Sequence, residues 1–200
     1  NMKVLFGESD SLEKKTFIES TGDTQNSVRE KTTWSMEILP QNISEVSLIP
    51  EFVNEVYITM IPGVDCQDTI EAANVIQTEG KQAIPHIAAR SFSSPEVLKK
   101  HLSGLQDAGI KRVLLIGGGV PEPAGKYTSV MDLLKTGFFA EYGINSFDFA
   151  GHPEGNPDDP KSEYHMLEKL QWTKEREFSA RIVTQWSLDA KKTNNWISDL

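Results

Sequence analysis

From about residue 33 onward, short runs rich in β-branched and aromatic residues alternate with stretches whose apolar positions repeat at helical spacing. The runs are 33–39, which stops at Pro40, then 56–61, 83–87, 112–116, 146–150 and 181–186. Each has the length of a buried strand, so the pattern predicts six. The helices between them have readable ends. Ser94 is an N-cap with Pro95 at the first helical position, Leu98, Leu102 and Leu105 form one face, and Gly109 closes the segment. Residues 68–80 carry Ile70, Ala73 and Ile76 on one face and stop at Gly80, and a third helix is predicted over about 129–142, before Gly143. Strand and helix alternating in this way predict a parallel sheet, because parallel neighbours need a crossover between them.

Residues 1–32 break the pattern. They are polar and charged, with one helix expected around 12–18, and read as an extension packed outside a single domain over 33–200. Six βα units fit either an open doubly wound sheet or part of a closed barrel. Gly117-Gly118-Gly119 follow a strand, but Val120-Pro121-Glu122-Pro123 stand where a dinucleotide fingerprint would open a helix. The expected fold is therefore α/β, a TIM-type (β/α)8 barrel of which about six units are present. Such barrels place their chemistry at the C-terminal ends of the strands.

Charge narrows the function classes. The 200 residues carry a formal net charge of −9, and the few basic pairs, such as Lys99-Lys100 and Lys111-Arg112, make no face that could neutralise a phosphate backbone. No apolar run approaches the roughly 20 residues of a membrane span, and the start at Asn1 lacks the layout of a signal peptide, so a cytoplasmic protein without nucleic-acid or membrane partners is expected. Cys66 is the single cysteine, which excludes an intrachain disulfide and a cysteine-based metal site.

Polar residues at strand ends carry the candidate chemistry. Glu37 shares one face of its strand with Ser35 and Leu39, while Trp34, Met36 and Ile38 share the other. A carboxyl among apolar neighbours at a barrel mouth would serve as a general acid; the other reading is an ion pair at the rim. Thr59 and Gln185 can hydrogen-bond a ligand or satisfy the structure, and His86 can meet a phosphate or ribose or be a hydrogen-bonded structural histidine. The loop 150–160 holds three prolines with His152, Glu154, Asp158 and Asp159. Those side chains raise a metal site, but no ligand set at helical spacing accompanies them, and the prolines explain the loop by themselves.

Several of these segments, in order, resemble the methylenetetrahydrofolate reductase family. They are Ser35-Met36-Glu37-Ile38-Leu39-Pro40, Ile58-Thr59, Pro85-His86-Ile87, Ala150-Gly151-His152-Pro153-Glu154-Gly155-Asn156-Pro157, and Ile182-Val183-Thr184-Gln185-Trp186-Ser187-Leu188-Asp189. The resemblance spans about residues 33–200. It implies a barrel that binds FAD and passes a hydride from NADH or NADPH to a reduced folate, within one-carbon metabolism and methionine biosynthesis. It makes Glu37 the general acid and gives Thr59, His86, His152, Glu154, Asn156 and Lys174 to the cofactor and Gln185 to the pterin. Because the chain is acidic, the phosphates and carboxylates of an anionic cofactor and a folate are expected to rely on backbone amides such as those of Gly117, Gly118 and Gly119 and on a few local cations.

Three departures from the family are visible. Gly117-Gly118-Gly119 stand where the family has Arg and Asp, His152 and Asn156 replace its Tyr and His, and its last two βα units have no counterpart before Leu200. The missing charges keep two further functions open: a folate-binding or partner-dependent subunit without the hydride step, and an enzyme running methyl-folate chemistry oxidatively. The short strand count implies either a longer chain or closure by another copy or a partner subunit.

Overall fold

The structure, a computed structural model, describes residues 4–5, 34–63 and 65–200. Its strands are β1 (Val4–Leu5), β2 (Trp34–Ile38), β3 (Val53–Ile58), β4 (Gln82–Ala88), β5 (Arg112–Ile116), β6 (Ser146–Gly151) and β7 (Ser179–Thr184). Its α-helices are α1 (Cys66–Thr78), α2 (Pro95–Asp107), α3 (Val130–Leu134), α4 (Phe138–Glu141), α5 (Ser162–Glu175) and α6 (Ala190–Asp199), with short 3-10 segments at Pro40–Leu48 and Ala89–Ser91.

The six strands β2 to β7 are parallel and lie side by side in chain order. A doubly wound sheet reverses its order at a switch point. This one never does, and it curls into a half-barrel with helices alternating along it. β4 pairs with β3 up to Pro85, which has no N–H to give, and with β5 from His86 onward.

The first strand brings a difference from the sequence expectation. β1 pairs antiparallel with β2, Val4 opposite Met36 and Leu5 opposite Ser35, so residues 4–5 belong to the sheet and cover one of its edges. The helix expected around 12–18 lies outside the described residues. The predicted helix over 129–142 is two short helices parted at Gly137, where the Thr136 hydroxyl donates to the Leu133 carbonyl and accepts from the Phe138 amide. Among the described residues, no helix is long and apolar enough to cross a membrane.

Period-two alternation separates the two faces of the sheet. Val56, Ile58, Ile87, Val113, Leu115, Phe147 and Phe149 point outward and form the main core with Ala73 and Ile76 of α1, Leu98, Leu102 and Leu105 of α2, and Met166 of α5. The alternate positions point into the half-barrel, where Tyr57, Ile84 and Leu114 make a small apolar layer with Ile116 and Val183.

His101 of α2 is buried in the outer layer against the Phe92 ring, with both ring nitrogens unpartnered among the described residues. Burial pushes its pKa down from 6.5 to about 4. The unfolded chain takes up this proton near pH 6.5, but the folded chain takes it up only near pH 4. Stability is therefore full above about 6.5 and falls as pH drops through that window, by about 2–3 kcal/mol at pH 4.5 for this group. Urea denaturation of His101→Leu at pH 7 and 4.5 is expected to show a drop smaller than the wild type's by that amount.

Helix α5 ends unusually. The amide of Phe178 reaches the Thr173 carbonyl and that of Glu177 the Lys174 carbonyl, the paired bonds of a Schellman cap. The left-handed residue, at φ 58, is Glu177, where α1 and α2 use Gly80 and Gly109. Glu177→Gly should raise stability by about 1 kcal/mol, a melting-temperature rise of about 2–4 °C.

Candidate active site

A cavity of about 510 Å³ opens at the C-terminal ends of the parallel strands. Glu37 of β2, Thr59 just after β3, His86 of β4 and Gln185 just after β7 all line it. The structure thus gathers, from four strands, the polar residues that the sequence singled out at strand ends. Leu114, Ile116, Ala150 and Val183 give it an apolar wall, and Trp186, Ser187, Thr193 and Asn194 enclose it from the turn after β7 and from α6.

Thr59 donates its hydroxyl to Glu37 Oε1 at 3.0 Å, and its amide donates to the Ile38 carbonyl at 2.9 Å. Among the described residues, Oε2 of Glu37 has no hydrogen-bond partner and no lysine or arginine pairs with the carboxyl. The edge of one ring meets the face of the other where Tyr57 and His86 pack, their centroids 6.1 Å apart.

Beneath the cavity lies a charged layer that sequence reading did not anticipate. Arg112 donates to both Asp148 oxygens, with its shortest bond at 2.7 Å, and to Glu55 Oε1 at 2.7 Å. The Tyr57 hydroxyl donates to Asp148 Oδ2 at 2.6 Å, and Arg181 reaches Glu55 at 3.1 Å. Asp148 is fully buried. Burial and the adjacent Asp148 push the Tyr57 phenol up, and although burial disfavours the Arg112 guanidinium, Asp148 holds it charged. Among the described residues, two cations and two carboxylates meet in this layer, below the ligand space.

The other expected site residues lie outside the cavity lining. His152 is half-buried beside Lys169, and burial together with that cation lowers its pKa. Asn156 accepts the Asp158 amide on its side chain and shapes the loop. Asp159 holds His165 at 2.8 Å. Lys174 is exposed in the last turn of α5, at the end of the layer opposite the cavity mouth. Among the described residues, no three His, Cys, Asp or Glu side chains converge on a common point as metal ligands would.

Gly117, Gly118 and Gly119 begin the loop beyond Ile116. Arg90 secures this loop: its amide donates to the Gly117 carbonyl, and its guanidinium donates to the Thr128 and Val120 carbonyls. A Cβ on Gly118, at φ 96, would press on Ala88. Glu154 lies at the outer surface, where its carboxylate accepts from Ser187, Leu188 and Asp189. No family model matches the chain.

Proposed function

We propose that the chain is a flavin-dependent oxidoreductase acting on a reduced folate, built as a TIM-type barrel and similar to methylenetetrahydrofolate reductase. One observation carries the reading: Glu37, Thr59, His86 and Gln185, far apart in sequence, line a single cavity at the C-terminal ends of the strands. Its volume of about 510 Å³ suits an organic ligand. The wall of Leu114, Ile116 and Val183 suits the face of a planar ring system, and the polar groups opposite suit its heteroatoms, so the residues present fit a flavin ring and a pterin.

FAD, when bound, supplies the storage and release of a hydride taken from NADH or NADPH. The chain supplies the rest. Glu37 is the group placed to pass a proton to the substrate nitrogen, with Thr59 fixing one carboxyl oxygen and leaving the other to make the transfer. Gln185 and His86 orient ligand groups by hydrogen bonds, Leu114 and Ile116 keep water from the reacting face, and the amides of Gly117, Gly118 and Gly119 are available to an anionic group.

A second reading, a folate-binding protein without the hydride step, is favoured by the uncharged Gly117-Gly118-Gly119 segment. Titrating FAD into the purified protein separates the two. The leading reading expects a flavin visible band that shifts on binding and bleaches when NADH or NADPH is added. No uptake of FAD, with 5-methyltetrahydrofolate still bound, would select the second reading instead.

A further inference from the structure

Glu154 makes a set of bonds of its own to the turn after β7. Three donors converge on its Oε1: the Ser187 hydroxyl at 2.7 Å, the Leu188 amide at 3.1 Å and the Asp189 amide at 3.4 Å. Its own carbonyl accepts from Lys192 at 3.3 Å. These bonds hold its pKa below the usual carboxylate range, the Ser187 hydroxyl first and the amides next, so the carboxylate is charged at neutral pH.

The same turn faces the cavity on its other side. Ser187, the first donor, lines the cavity, and its hydroxyl also accepts from Thr193, another lining residue, at 2.9 Å. Gln185, two residues earlier, donates its amide to the Gly151 carbonyl at 2.8 Å. Gly151 is small for a reason: a Cβ there would lie 2.7 Å from both Ile182 and the Trp196 ring of α6. The end of β6 and the loop after it therefore grip the turn after β7 at two points, once through the backbone of Gly151 and once through the carboxylate of Glu154. The turn between them carries Gln185, Trp186 and Ser187. Trp186 is 69% exposed, and from α6 the Thr193 hydroxyl reaches Ser187 while the Thr193 amide reaches the Asp189 carbonyl.

We infer that Glu154 is a positioning residue: its carboxylate clasps the 185–189 turn into the shape that presents Gln185 and Ser187 to the ligand, and it acts on folate affinity without touching a ligand. The effect on folate affinity rests on the function proposed above; the effect on the turn does not.

The test compares Glu154→Ala and Glu154→Gln in the full chain with the wild type. In the alanine variant, hydrogen exchange of the Leu188 amide is expected to quicken at least about tenfold, with a smaller change in the glutamine variant, which keeps an acceptor oxygen. Exchange in β3 to β5 and the melting temperature should stay as in the wild type. The affinity of the FAD-loaded protein for 5-methyltetrahydrofolate should fall about 5- to 20-fold in the alanine variant, with FAD affinity unchanged. Unchanged exchange at Leu188 overturns the clasp. So does a fall in FAD affinity with folate affinity intact, the mark of direct cofactor contact. If the wild type binds neither ligand, the proposed function fails, and amide exchange still decides whether the clasp exists.

Discussion

Glu37→Gln is expected to lower folate turnover by at least about 100-fold while leaving reduction of the bound flavin by the nicotinamide within about twofold of the wild type. Glutamine matches the size of the carboxyl and keeps an oxygen for the Thr59 hydroxyl, which lies 3.0 Å from Glu37 Oε1, so the wall of the cavity is preserved. The variant lacks the titratable proton alone. Stopped-flow measurement of the two half-reactions checks the claim, since in the proposed reaction only the folate half-reaction takes a proton from Glu37. Equal loss in both would make Glu37 a structural group. A companion variant, Thr59→Val, removes the donor to Oε1 without touching the acid, and a milder loss confined to the same half-reaction is expected.

The largest effect on stability is expected at Arg112. Removing its guanidinium in Arg112→Met leaves Asp148, fully buried, with Tyr57 as its remaining partner and Glu55 with Arg181. Breaking a buried pair in this way costs about 3–5 kcal/mol, because a carboxylate stays behind without its charge partner. Adding Asp148→Leu removes that stranded charge. The double variant is expected to regain more than half of the loss, which urea denaturation of both singles and the double measures as a coupling energy. Strictly additive losses would mean that Arg112 and Asp148 stabilise the fold independently of each other.

Much of this architecture could be read from the chain because buried parallel strands carry a strong local signal. The runs 112–116 and 146–150 are apolar and β-branched or aromatic enough to be placed almost to the residue, and Ser94-Pro95 and Gly109 mark the ends of α2. Glu37 was legible by parity alone, since it falls on the strand face opposite Trp34, Met36 and Ile38. Other features lack such a signal. Asp148 sits between Phe147 and Phe149, so alternation puts it inward, but nothing local says that Arg112 is its partner, 36 residues away. Arg112 opens its strand and stands in the sequence as half of the short basic pair Lys111-Arg112. Lys174 shows the converse: a motif alignment puts it near a cofactor, but the antiparallel run of α5 past the sheet carries it to the far end. β1 has two residues, too few for any periodicity to show. Glu177 looks like an ordinary helix residue because the left-handed conformation it adopts belongs by preference to glycine.

The unbroken strand order also bears on how the chain reaches this state. Every parallel ladder joins one βα unit to the next along the chain, so each closes a loop of modest length and can add to the unit before it. The side-chain layer under the cavity obeys no such rule: Tyr57 meets Asp148 across 91 positions, and Glu55 meets Arg181 across 126. Those bonds require β3 to be in place with β6 and with β7, which makes them late events in assembly. Interactions that form after the rate-limiting barrier act on the rate of opening instead of the rate of formation. The buried ions therefore set the lifetime of the folded half-barrel, and the successive βα units set the speed at which it forms.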